Sequence, residues 1–368
     1  MHRQKLILVV LLLLPLVAYS DSRIEGPETL LAEADRLALL SNWPEAEPLY
    51  AQSESLFTQS GDQKNALAAR LGYIWATADA GVDSAISREV ATNLEGPLVR
   101  SDSRLKLRAL VAKAVLDRNT NEIAARGHWE EILQLATRLG DKLWEGRAKA
   151  EIGQILYMDG NVASAAAMLR DAIVSQYLRL DLGAAIHYTA MVGNGFVEAG
   201  QPEAGLKYCN IALRSTYVVP DIGFPYLAYQ GKARALLALH RDAEAEGVLN
   251  EAIARAREEH NYQALTQLLV VAGTAAASSN LPEAIQRLRE ANEISHEKGF
   301  HHVFAWSAFQ LAQVYRDVGN LNEAEALASN AIDIMRKLED RYHLPEHLAL
   351  LADLEVRKGN FDLADRLY

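Results

Sequence analysis

Residues 153–172 read GQILYMDGNVASAAAMLRDA. Ahead of the Gly160-Asn161 pair, Ile152, Ile155 and Leu156 are spaced as on one face of a helix. Met168, Leu169 and Ile173 repeat that spacing after it. Gly followed by Asn closes a helix by accepting a left-handed conformation. The stretch therefore reads as helix A, tight turn, helix B. Its two small residues, Gly153 and Ala165, mark the place where the two helices cross, because a side chain larger than methyl would force the axes apart.

Both marks recur down the chain. The first series is Ala34, Gly72, Ala112, Gly153, Gly193, Ala233, Ala272, Ala312 and Ala352. The second is Ala46, Ala85, Ala125, Ala165, Ala204, Ala245, Ala284, Ala324 and Ala364. Steps of 38 to 41 residues, held over nine copies, predict a stack of one helical hairpin rather than a domain with a single core. The turns agree: Asn42-Trp43-Pro44-Glu45, Gly200-Gln201-Pro202-Glu203, Asn280-Leu281-Pro282-Glu283, Gly319-Asn320 and Gly359-Asn360. In the first three of them, Pro and Glu sit in the first turn of the next helix, where they are favoured. Four residues after most second-series marks stands a bulky partner: Tyr50, Trp129, Leu169, Tyr208, Leu249, Leu288 or Tyr368.

This constellation resembles the tetratricopeptide repeat. Gly153, Leu156, Ala165, Leu169 and Ala172 carry the family pattern in full, and Ala312, Tyr315, Ala324 and Ala331 carry all of it but the bulky residue. The resemblance covers residues 27–368. The unit is about 40 residues rather than the common ~34, and is similar to the extended class of kinesin light chains, maltose-type transcriptional activators and bacterial signalling proteins. Residues 63–141 match least well, with a longer turn at Asn119-Thr120-Asn121. The resemblance implies an all-α, right-handed α-solenoid of antiparallel helix pairs, with helices A on the concave face.

Half of the residues are apolar (50%), and no β-rich run, low-complexity segment or linker divides the chain. The expected organisation is a signal peptide over 1–20 and a solenoid over 21–368, eight full repeats and a ninth cut off in its second helix. His2, Arg3 and Lys5 precede the apolar run Leu6–Val17, and Ala18-Tyr19-Ser20 offers a cleavage site before Asp21. That layout predicts export to the periplasm or beyond. The alternative is an uncleaved anchor, although the run is short for a span. Cys209 is the only cysteine, so no intrachain disulfide forms, and it reads as a small core filler. The net charge of −11, about −13 without Arg3 and Lys5, argues against nucleic-acid binding.

Nothing points to catalysis, a metal or a cofactor. Gly193-x-Gly195 follows a helix rather than a strand, and His301-His302 lacks ligand partners at metal spacing. Ser295-His296-Glu297-Lys298 reads as the polar last turn of a helix. The expected role is an exported scaffold holding a protein or peptide. By resemblance, the concave rows contain Lys113, Arg147, Gln154, Tyr157, His187, Asn194, Gln230, Arg234, Trp306, Phe309, Gln313 and Arg316, together with Lys106, Asp117, Met158, Glu198 and Asp317. Amides can bond a peptide backbone, rings can cover its side chains, and Arg can fork onto carboxylates. Trp306 and Phe309 share one helix face and either line the groove or pack on the next helix A.

The last residues, Leu363, Leu367 and Tyr368, supply no polar cap. The architecture is similar to N-terminal regions of exported bacterial proteins that end in a CHAT-type protease or a histidine kinase. A sensor arm for such an output domain in cis is thus the alternative function. A third is end-to-end stacking of copies.

Overall fold

A computed structural model describes residues 26–367, apart from 79–83, 119, 175–179, 339, 341 and 342. The signal segment, its cleavage site, Asn119 and Tyr368 lie outside the described residues. Among the described residues nineteen helices and no strand build an α-solenoid. Helices A are α1 (Pro27–Leu39), α3 (Gln63–Thr77), α6 (Ser103–Asp117), α8 (Lys142–Met158), α10 (Leu182–Glu198), α12 (Tyr226–Ala238), α14 (Tyr262–Ala276), α16 (His301–Asp317) and α18 (Leu344–Lys358). Helices B are α2 (Trp43–Ser60), α4 (Ser84–Glu95), α7 (Glu122–Leu139), α9 (Val162–Val174), α11 (Pro202–Ser215), α13 (Asp242–Glu258), α15 (Leu281–Lys298), α17 (Leu321–Lys337) and α19 (Phe361–Leu367). A one-turn helix, α5 (Pro97–Ser101), is added between α4 and α6.

Local chemistry sets these boundaries. Carboxylate or amide oxygens of Asp62, Asp102, Asn121, Asp141, Asp181, Asn261 and Asn280 accept from backbone amides in the first turn of the helix each one caps. Gly160, at φ 74°, takes the left-handed conformation that ends α8. Ser41 and His240 adopt it at equivalent turns, with φ 55° and 57°.

The crossings are as tight as the sequence pattern requires. A Cβ on Gly153 would sit 2.9 Å from Leu169 Cγ, and Ala34, Ala46, Ala112, Ala125, Ala233, Ala245, Ala312 and Ala324 are wholly buried. Trp129, Tyr50, Leu249 and Leu288 fill the space beside them. Each such burial contributes about 1.5–3 kcal/mol. The resulting clusters run from one repeat to the next, so no single centre exists.

Two second-series marks depart from the pattern. Ala85 is exposed, and only Val90 is buried on α4, whose backbone packs against α5 and α6. The added α5 follows this pair, which matches the repeat least well in sequence. In the fifth pair Ala204 is half-buried, and Gly205 occupies the crossing: a Cβ there would lie 2.8 Å from Gly193 O.

The stack also curls back on itself. The turn after α1 meets the segment before α12, where Gly223 N donates to Leu40 O at 2.9 Å. Arg118, after α6, donates to Gln263 Oε1 on α14 at 3.3 Å. His302 on α16 lies 3.6 Å from Glu122 on α7. Repeats one and three thus touch repeats several places ahead. Among the described residues no helix is long and apolar enough to cross a membrane.

Candidate peptide-binding groove

The inner helices of repeats four to six bring one group of the sequence-selected residues into two neighbouring sets of polar contacts. On α8, Gln154 Oε1 lies 3.4 Å from His187 Nε2 on α10. Tyr157, also on α8, donates its hydroxyl to Glu198 at the end of α10. The other side of that carboxylate accepts from Arg234 Nη1 on α12 at 3.0 Å. Gln154, Tyr157, His187 and Arg234 are half-buried and Glu198 is exposed, so each side chain keeps some access to solvent. Donors and acceptors alternate along this strip, which suits the repeating amides of an extended chain.

Other selected residues have their polar groups engaged between repeats. Arg147 is buried, with Nε 2.8 Å from Glu151 Oε1 and Nη1 2.9 Å from Asp181 Oδ2. Burial alone would lower the guanidinium pKa, but Asp181 and Glu151 outweigh it and raise it. Asn194 is buried too, and its amide donates at 3.1 Å to both Ala190 O and Leu227 O. Gly231 makes room for it, since a Cβ there would lie 2.5 Å from Asn194 Nδ2. Gln230 is buried on the same helix.

Lys113 pairs with Asp117 one turn further along α6, and His128 approaches the same carboxylate at 3.3 Å. Burial opposes ionisation of Asp117, yet His128 and Lys113 hold it below the usual carboxylate range. Lys106 reaches Glu131 at 2.7 Å.

On α16, Phe309 is buried against the His347 ring of α18, with centroids 4.4 Å apart. Of the two alternatives for that ring, packing on the next helix A is the one observed. Trp306 is half-buried against the same core cluster. Arg316 bonds Asp317 at 2.8 Å and Asp353 at 3.4 Å, and Gln313 is half-buried beside it. Met158 is half-buried and Asp317 exposed.

Sequence reasoning missed three parts of this surface. Glu151 stands four residues after Arg147, a spacing that could have exposed the pair. Asp181 carried only a capping signal. The tryptophans Trp43, Trp75 and Trp144 come from three repeats and meet edge-on or tilted, with centroids 5.2 and 5.5 Å apart. Arg147 lies over the Trp75 ring at 6.0 Å.

Between α8, α10, the start of α12 and the turn after α1 lies a cavity of about 80 Å³. Arg118, Arg147, Glu151, His187 and Asn261 supply its polar wall, and Leu40, Trp43, Ile186 and Phe224 its apolar one. Burial, opposed by Glu151 and aided by Arg147 and Arg118, pushes the His187 imidazole down to about 4, so it is neutral at pH 7. Among the described residues no cluster of three or more His, Cys, Asp or Glu side chains is placed to hold a metal ion.

Comparison with solved structures shows the fold. The chain is similar to NprR in complex with its cognate peptide NprX, at a TM-score of 0.63 and 13% identity over 93% of this chain and 95% of that one. It is similar to a Rap protein complexed with competence and sporulation factor, at a TM-score of 0.59 and 14% identity over 93% of this chain and 98% of that one. A STAND protein with a tetratricopeptide-repeat sensor from Pyrococcus horikoshii aligns at a TM-score of 0.49 and 14% identity, covering 77% of this chain, which spans only 45% of that protein. The structural neighbours are tetratricopeptide-repeat proteins, and the fold is theirs. No protein-family model matches the chain, and no curated protein matches its sequence.

Proposed function

We propose that the chain is an exported scaffold that holds an extended peptide, or an extended segment of a protein, along the inner helices of repeats four to six. The observation that carries this reading is the strip Gln154, His187, Tyr157, Glu198 and Arg234, partly solvent-accessible polar side chains on the inner helices of three consecutive repeats. Two neighbours of the same fold, NprR and Rap, were solved with bound partners, in the first case a peptide, which supports peptide or protein binding by a chain of this fold. Export rests on the charged start, apolar run and Ala18-Tyr19-Ser20 site.

Peptides selected by display on the chain lacking residues 1–20 provide the test. Calorimetry then compares that chain with the triple variant Gln154→Ala, Tyr157→Phe, Arg234→Ala. A second triple variant on outer helices, Lys207→Ala, Glu246→Ala, Glu293→Ala, is the control. The groove triple is expected to bind at least about tenfold more weakly, the loss of ~1.4 kcal/mol. Equal binding by all three proteins would remove the groove reading. Export is checked separately by sequencing the mature N-terminus, which is expected to begin at Asp21.

A further inference from the structure

The contact between the first repeat and the segment before α12 is built to a closer tolerance than a chance touch. Residues 216–225 form the longest link from a helix B to the next helix A whose residues are all described. This link carries Asp221 to Arg36 on α1, where Nη2 and Oδ2 are 2.8 Å apart. Asn42 donates its side-chain amide to Asp221 O at 2.9 Å, and Gly223 N donates to Leu40 O at 2.9 Å. Two glycines let the backbones close. A Cβ on Gly223 would lie 1.9 Å from Ser41 O, and one on Gly183 would lie 2.4 Å from Ser41 Oγ. Residues on both sides hold a left-handed backbone without being glycine: Ser41 at φ 55° and Asp221 at φ 60°. Such conformations persist where surrounding structure holds them in place.

The same turn and link wall the cavity that contains Arg147 and His187: Leu40 and Ser41 on one side, Ile222, Gly223 and Phe224 on the other. We infer that this contact is a latch, holding the first repeat against the sixth so that the polar chamber between them stays narrow, and that its release widens the way from the groove to His187. Its Arg36–Asp221 pair is exposed, so that ion pair adds little to the closure. The inference concerns access to the chamber and holds whatever the ligand is.

Hydrogen exchange and side-chain footprinting on the full chain test it. One variant is Arg36→Ala with Asn42→Ala, which removes the side-chain bonds. The other is Gly223→Val, which places a side chain where Ser41 O stands. Either is expected to raise exchange at residue 223, and carbethoxylation of His187, together by roughly tenfold, the effect of one net polar contact. Amides in α2 and α13 should keep their rates. The latch is refuted if residue 223 in the unaltered chain exchanges as a free peptide would. It is also refuted if His187 reactivity stays constant while residue 223 is released, or if α2 loses protection in step, since the contact would then be part of folding the first repeat.

Discussion

Asp181, at the start of α10, accepts from two directions at once: Arg147 Nη1 reaches its Oδ2 at 2.9 Å, and the Ala184 amide reaches its Oδ1 at 2.9 Å. One carboxylate thus caps a helix and ties it to the preceding inner helix. Glu151 completes the set on the other side of the guanidinium. Removing Arg147 would leave two buried carboxylates without their cation. Arg147→Ala is expected to destabilise the chain by about 3–5 kcal/mol. A lower urea midpoint at unchanged slope would show it; an unchanged midpoint would mean the pair is solvated in solution.

Arg234 makes the contrasting case. Its partner Glu198 is exposed, and the pair is open to solvent and salt. Arg234→Ala is expected to cost less than about 1 kcal/mol of stability. The same substitution is expected to weaken ligand binding, so affinity and the urea midpoint should move independently. If both fell together, the residue would belong with Arg147 as structural.

Glycines offer a direct check on the crossings. At Gly72 a Cβ would lie 2.3 Å from Tyr50 Cε1 and 2.5 Å from Arg108 Nη2. Gly72→Ala should therefore destabilise by about 1–3 kcal/mol, as overpacking does. Gly247, inside α13, has no atom within 4 Å of a Cβ. Gly247→Ala should instead stabilise by about 0.5–1 kcal/mol, through helix propensity and a less free unfolded chain. Opposite signs from one chemical change would be seen in paired thermal melts.

The period of small residues was enough to read the hairpins, because crossing geometry imposes a residue size at each step. In the second pair, which matches the repeat least well, the pattern pointed to an exposed position at Ala85. The groove was less legible. A row position says which way a side chain starts, and it cannot say that Arg147 finds Asp181 across a repeat boundary or that Asn194 bonds Leu227 O. The closure of repeat one on repeat six left no local trace apart from a long link, since it depends on curvature summed over several repeats.

Acid–base behaviour should report the junction between repeats three and eight. The Glu122 carboxyl is pushed up to about 8, first by burial and then by Asp159 and Asp340, while His343 opposes the rise. Burial lowers His302 to about 4, so this neighbour stays neutral above that value. A carboxyl with a folded pKa above its unfolded one keeps a proton that the unfolded chain has released. Between pH 4.5 and 8 the folded state therefore binds more protons, and stability falls as pH rises. Glu122→Gln cannot ionise, so its stability relative to the parent should grow from pH 5 to pH 8, read as the difference between two denaturation series. A difference that is flat across this range would place Glu122 in contact with water.

Cys209 packs into a space made by two glycines. A Cβ on either Gly193 or Gly231 would come within 2.6 Å of its sulfur. The side chain is fully buried, and burial pushes the thiol up to about 12 despite the opposing pull of Arg234. Reactivity needs the thiolate and access to it, and this site supplies neither. The native chain should leave a disulfide reagent unreacted at pH 8 and consume one equivalent in denaturant. Gly231→Ala should crowd both the sulfur and Asn194 Nδ2, at a cost of about 1–3 kcal/mol, and the thiol should then react at a rate set by the more frequent opening of α10 against α12. If native Cys209 reacted at the speed of a free thiol, the close approach of α10, α11 and α12 would be wrong, and with it the placement of Asn194 beneath the groove.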